Sequence, residues 1–262
     1  MSSLQTQAKK KTVRLGGVVL GEGMPKICVP VMGESLEGIR AAAARAAEAG
    51  ADVIELRMDS LDAEPDKKTA IAACRAVREA AGSVPLLFTQ RTRRDGGAGS
   101  TDAEAYETLL SAVAAAGVCE AIDCELSAGD EAFARIVQAA HEAGVAVVGS
   151  SHEFGEIGDM DRAAQWLHRQ AALGADIVKA AVMTKTREGA LEAALTMTRA
   201  GGQIAAPMIA IAMGPAGVLT RIGGACMGSC LTFGTAGEAS APGQIDAVKL
   251  RQALEIIESA IV

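Results

Sequence analysis

The chain has 262 residues, 50% of them hydrophobic, with 25 basic against 32 acidic side chains and a net charge of −7. That acidic balance, with only 2% aromatic residues, argues against a nucleic-acid or anionic-membrane surface, which needs basic patches and stacking platforms. Six cysteines without a CxxC pair, and only three histidines, argue against a zinc site and for reduced thiols in a cytoplasmic setting.

From the beginning of the chain, MSSLQTQAKKKTVRL carries a basic run without an apolar core, so no signal peptide is expected and residues 1–11 read as a flexible tail. TVRLGGVVLGEG (12–23) predicts a small β-hairpin that closes the floor of whatever sheet follows. KICVPVM (26–32) is the first strand. A weak repeat then sets the architecture. AEAGADVIELR (47–57), AAAGVCEAIDCE (114–125), HEAGVAVVGSS (141–151) and AALGADIVKAA (171–181) each end an Ala-rich helix, place a glycine, and enter a short apolar run. Looser copies lie at 80–90 and 199–209, and SCLTF (229–233) brings the strand candidates to eight. Helical periodicity fills 35–49, 66–82, 101–116, 129–142, 159–173, 187–200 and 246–260. Short strands alternating with helices imply parallel pairing and right-handed crossovers. Eight such units at this length fit an α/β fold with one (β/α)₈ barrel domain over 1–262. An open doubly wound sheet fits less well, because no GxGxxG follows the first strand. The uncharged stretch Ala200–Thr220 is broken too often by glycine and proline for a membrane helix.

In such barrels chemistry sits at the C-terminal ends of the strands, so the charged residues there matter most. Lys179 alone among the lysines falls inside an apolar strand pattern, ADIVKAAVM. A buried lysine is costly as an ammonium, and its free amine is the nucleophile that Schiff-base chemistry needs. The competing reading is a structural ion pair with an interior carboxylate. His152 directly follows the strand VAVVGSS, where a histidine either moves protons or merely packs at the rim. Arg221 is the only charged residue between Ala200 and Gly237, and it either reaches solvent or grips an anion. Period-2 alternation in ADVIELRMD puts Glu55, Arg57 and Asp59 on one face. Arg91 ends the next strand, and Asp123 and Glu125 are expected as counter-charges for the arginines or for Lys179.

The set IELRMD (54–59), FTQRTRRDGG (88–97), SSHEF (150–154), DIVKAAVM (176–183), GVLTR (217–221) and ASAPGQI (239–245) closely resembles the type I 3-dehydroquinate dehydratase family, from about residue 12 onward. The resemblance implies a cytoplasmic, homodimeric barrel lyase without metal or organic cofactor. It converts 3-dehydroquinate to 3-dehydroshikimate, the third step of the shikimate pathway. By the same resemblance Lys179, of the DIxK motif, forms an imine with the C3 ketone, and His152, of the SxHxF motif, shuttles protons between C2 and the departing C1 hydroxyl. Arg221 would grip the substrate carboxylate, while Glu55, Arg57 and Arg91 would hold the ring hydroxyls and each other. Ser240 and Gln244 would belong to a loop that folds over the substrate.

Two positions depart from the family pattern. Many members carry glutamate where this chain has Asp95, the carboxylate that orients the histidine. The side chain here is one methylene shorter, so its reach to His152 is in question, although a rise in the histidine pKa is expected if it arrives. Some members carry a serine where this chain has Pro30, which has no donor and stays outside the site. Two rival readings remain: a class I aldolase with GGACMGS (223–229) as its phosphate cradle, and a non-catalytic regulatory paralogue that binds a quinate-like ligand. The second is expected to lose Lys179 or His152, and both are present.

Overall fold

The computed structural model describes residues 8–155, 160–237 and 239–261. A short antiparallel hairpin, β1 (Val13–Leu15) and β2 (Val18–Leu20), precedes the main sheet. The strands and helices that follow are β3 (Lys26–Val31), α1 (Leu36–Glu48), β4 (Val53–Arg57), α2 (Lys67–Ala81), β5 (Leu86–Thr89), α3 (Ala103–Ala115), β6 (Ala121–Glu125) and α4 (Asp130–Glu142). Then come β7 (Ala146–Glu153), α5 (Asp161–Ala172), β8 (Ile177–Met183), α6 (Arg187–Gln203), β9 (Met208–Met213), α7 (Val218–Ile222), α8 (Gly224–Met227), β10 (Leu231–Thr235), β11 (Ile245–Asp246) and α9 (Ala247–Ile261).

The sheet is parallel throughout and runs β11-β10-β3-β4-β5-β6-β7-β8-β9. It curls round so that β9 meets β10 through one parallel bridge, Met208 to Ser229, and a 2.7 Å hydrogen bond from Cys230 N–H to Met208 O. This is the (β/α)₈ barrel expected from the repeat. The glycines of that repeat, Gly50, Gly82, Gly117, Gly144 and Gly174, all take positive φ where a helix ends, a conformation open to glycine at little cost. One copy differs. α6 runs on through Gly201 and Gly202, and Gly201 serves packing instead: it lies so close to Met208 of β9 that a Cβ would stand 2.6 Å from its sulfur.

Alternation sorts the strand residues into two cores. Ile54, Leu56, Phe88, Ile122 and Val178 face outward into the helix layer. Cys28, Val53, Leu87, Ala121, Val148, Ile177, Ile209 and Leu231 fill the barrel's lower interior together with Leu15 and Leu20 of the hairpin, which form its floor. Above that layer the same inward faces carry Glu55, Asp123, Ser150 and Lys179, and there the chemistry begins. Of the stretch read as a tail, residues 1–7 lie outside the described residues. Ala8 and Lys11 donate backbone hydrogen bonds to Gly202 and Ala205 under the barrel. Asp159, at the start of one predicted helix, also lies outside them.

Candidate active site

A cavity opens at the C-terminal ends of the strands, and its wall includes Glu55, Arg57, Arg91, Asp95, His152, Lys179, Arg221, Ser240 and Gln244. The residues expected to act on or hold the substrate therefore face a common space, although they do not all have free groups to offer.

Lys179 stands on the inner face of β8, with Nζ 3.4 Å from Asp123 Oδ2 and 4.6 Å from the centre of the Phe233 ring. Asp123 also accepts from Arg91 at 2.8 Å and from Ser150 Oγ at 2.5 Å. Burial opposes its ionisation, but Arg91 and then Lys179 outweigh that and hold the carboxyl below the usual carboxylate range. Arg91 spends its guanidinium inside the protein, on Asp123, Glu125 at 2.9 Å and Ser150 at 3.0 Å. It is the keystone of a buried charge network, where losing one partner leaves an uncompensated ion. Glu55 accepts from Thr89 Oγ1, and Arg57 forms a two-pronged pair with Asp59.

The shorter carboxylate of Asp95 does reach His152. Its Oδ2 accepts from the backbone N–H of His152 at 3.0 Å and lies 3.1 Å from ring Nδ1. Gripping backbone and ring with one oxygen fixes the imidazole as the Nδ1–H tautomer and leaves Nε2 free as a base. The expected rise in the histidine pKa is not found. His152 is held well below the ordinary histidine range, first by burial (its side chain is 9% exposed) and then by Arg91 and Lys179. The rim is drier and more positive than the nearby carboxylates Asp95 and Asp123 can offset. Burial also raises the Asp95 carboxyl.

Arg221 is the exception among the arginines. It is 1% exposed, donates to Phe233 O at 3.4 Å and Pro242 O at 2.9 Å, and its Nε has no partner. Among the described residues no carboxylate pairs with it, and burial alone lowers its pKa to about 10. Pro242 belongs to the loop in which Ser240 and Gln244 bond to each other at 2.8 and 2.9 Å. The stretch that the rival aldolase reading would use as a phosphate cradle lies elsewhere. Ser229 of GGACMGS supports Ala210 and Leu231 with its hydroxyl, and Gly224 packs beside Pro25, at the opposite end of the barrel from the cavity.

The sequence reading did not single out Phe233 beneath the amine, or the apolar walls Ile211 and Met213. Their inward position follows from strand alternation once the register is known, but apolar residues in a strand carry no chemical signal of their own. Pro30 does not line the cavity.

The family model for type I 3-dehydroquinase matches residues 27–261. A 3-dehydroquinate dehydratase of Klebsiella pneumoniae is 37% identical over 246 residues, 94% of this chain and 98% of that protein. The crystal structure of the type I enzyme of Clostridium difficile with covalently modified comenic acid superposes with TM-score 0.90 at 32% identity, covering 96% of this chain and 99% of that one. The Geobacillus kaustophilus 3-dehydroquinate dehydratase gives TM-score 0.91 at 30% identity over 97% and 98%. A match this long, in sequence and in fold, means that the chain belongs to the type I 3-dehydroquinase family.

Proposed function

We propose that the chain dehydrates 3-dehydroquinate to 3-dehydroshikimate through an imine on Lys179. The observation that carries this reading is Arg221: a buried guanidinium without an internal counter-charge, facing the same cavity as a buried amine. A substrate carboxylate completes it, and that contact sets the distance from carboxylate to ketone along the cavity.

The Lys179 ammonium passes one proton to His152 and attacks the C3 carbonyl as the free amine; that proton returns to the carbinol oxygen, whose loss as water leaves an iminium. His152 Nε2 removes the C2 proton, and the electron pair moves into the C2–C3 bond, with nitrogen as the sink. The resulting enamine expels the C1 hydroxyl as the protonated imidazole delivers its proton, so one water leaves and a C1–C2 double bond forms. Hydrolysis of the conjugated iminium then returns Lys179 and releases the enone acid. Asp123 keeps its charge beside the amine, which steadies the iminium that replaces the ammonium. The imine is itself the electron sink, so the reading calls for no metal or organic cofactor.

The same reading extends to the third step of the shikimate pathway, a cytoplasmic enzyme and a homodimer, all supported by family membership. Light scattering on a sizing column tests the dimer. The chemistry is tested by enone absorbance on adding 3-dehydroquinate, and by borohydride trapping followed by peptide mapping. The expected adduct is on Lys179, and Lys179→Ala abolishes both turnover and trapping. An adduct elsewhere, or near-normal turnover in that variant, overturns the assignment.

A further inference from the structure

Behind the cavity floor, on the outer face of the sheet, one buried side chain touches both strands that carry the proposed chemistry. Gln170 lies near the end of α5 and is 0% exposed. Its Oε1 accepts from the backbone N–H of Lys179 at 2.9 Å, and its Nε2 donates to the backbone C=O of Lys179 at 3.0 Å. The same Nε2 donates to Ser151 Oγ at 3.1 Å, on β7, directly before His152. Room for this amide comes from Gly149, where a Cβ would stand 3.0 Å from the Gln170 Cβ and 2.9 Å from both Phe133 and Ala175.

A side chain that takes both the N–H and the C=O of one strand residue fixes that residue's backbone. Here the residue bears the amine. Lysine reaches its target on four methylenes, so the position of Nζ depends on both of its ends. Asp123 and Phe233 hold the ammonium end, and Gln170 holds the root. Through Ser151 the same amide registers that root against the strand bearing His152. A glutamine in an outer helix has no other evident reason to be fully buried, since burying an amide is costly unless all its groups are paired.

We propose that Gln170 is the positioning residue for the imine-forming lysine: its amide sets the root of Lys179 against the strand that carries His152. The inference rests on the imine reading above. It requires that removing the amide slow covalent capture of the ketone while leaving the carboxylate-binding end of the site intact.

Gln170→Met keeps the volume and removes all three bonds, and Ser151→Ala removes only the bond to β7. Each is compared with the parent in two measurements. One is the rate of borohydride-trapped adduct formation with 3-dehydroquinate in a single turnover. The other is the inhibition constant of a carboxylated cyclohexane polyol that lacks the ketone, which reports binding without imine formation. The expected result for Gln170→Met is trapping slowed by about tenfold to a hundredfold, the scale of a misplaced reacting group, with the inhibition constant unchanged. Ser151→Ala should shift the same rate in the same direction, by less. Parent-like trapping in Gln170→Met, or equal damage to trapping and inhibitor binding, overturns the proposal. If Gln170→Met does not fold, Ser151→Ala decides it by the same two criteria. Failure of the parent itself to be trapped at Lys179 would instead overturn the imine reading.

Discussion

At His152 two opposing influences meet: burial and neighbouring cations press the imidazole towards its neutral form, while the nearby Asp123 carboxylate, and Asp95 in contact with Nδ1, favour the protonated one. The first side wins, which suits a group that must accept a proton from carbon. The acid limb of kcat/KM, which reports the base in the free enzyme, is therefore expected below the ordinary histidine value of about 6.5. Asp95→Asn removes the one opposing anion in contact with the ring, so the limb should move lower still, and turnover should fall because the tautomer is no longer enforced. Asp95→Glu restores the family's usual length and should keep most activity. An Asn variant with the parent's rate and pH profile would reduce Asp95 to a turn residue. His152→Ala should cut turnover by about 10² to 10⁴ or more with binding largely kept. At Arg221 the burden falls on binding: leaving a substrate carboxylate unpaired in a closed site costs about 2–5 kcal/mol, so Arg221→Ala should raise KM by about thirtyfold or more. An unchanged KM would contradict the anion role.

Among the elements, the turn from Thr92 to Gly99 shows how a local shape serves the chemistry. It doubles back on β5, with Gly97 N–H bonded to Thr92 O and Gly99 N–H bonded to Arg91 O, both at 2.9 Å, and it carries Asp95 at its apex. A Cβ on Gly97 would stand 2.2 Å from Arg91 O, a backbone atom that cannot swing away. Gly97→Ala must therefore shift the turn, and its rate and pH profile should resemble those of Asp95→Asn although no functional group is lost. Parent-like kinetics would show that the turn can move without carrying the carboxylate off His152. The sequence announced this turn only as RTRRDGG after a strand, which tells that the chain bends but not where the apex points. Short elements were harder to read. Arg221 sits on α7, five residues within an uncharged stretch rich in glycine and proline, too brief to establish a helical period. Solitary charge marked the residue, while its burial without a partner is visible only in three dimensions. Gln170 gave no signal, because the amide's value lies in two backbone atoms of a residue on the next strand.

For the whole molecule, the division of labour runs along the barrel axis. The lower interior is apolar and sealed by Leu15 and Leu20, whereas the upper interior holds the ion network of Arg91, Asp123, Glu125 and Lys179. The barrel itself was legible because six of its βα units repeat one pattern, helix end, glycine, apolar strand, and six copies of a weak signal add up. Its closure was less so, since β9 and β10 meet through a single bridge that no local pattern specifies. The axial separation makes stability and catalysis independently adjustable. Leu20 is 0% exposed and belongs to the apolar cluster that fills the lower interior, so Leu20→Ala removes buried methyl groups and leaves a void. That substitution should cost about 2–5 kcal/mol. For a domain of this size the midpoint of thermal unfolding should then fall by about 4 °C or more. Below the transition, kcat, KM and the acid limb should match the parent, because the deleted methyl groups carry neither charge nor hydrogen bond into the network. A loss of turnover in the folded variant would mean that the floor sets the height of Lys179 and Asp123 in the barrel, and that the two ends are mechanically one.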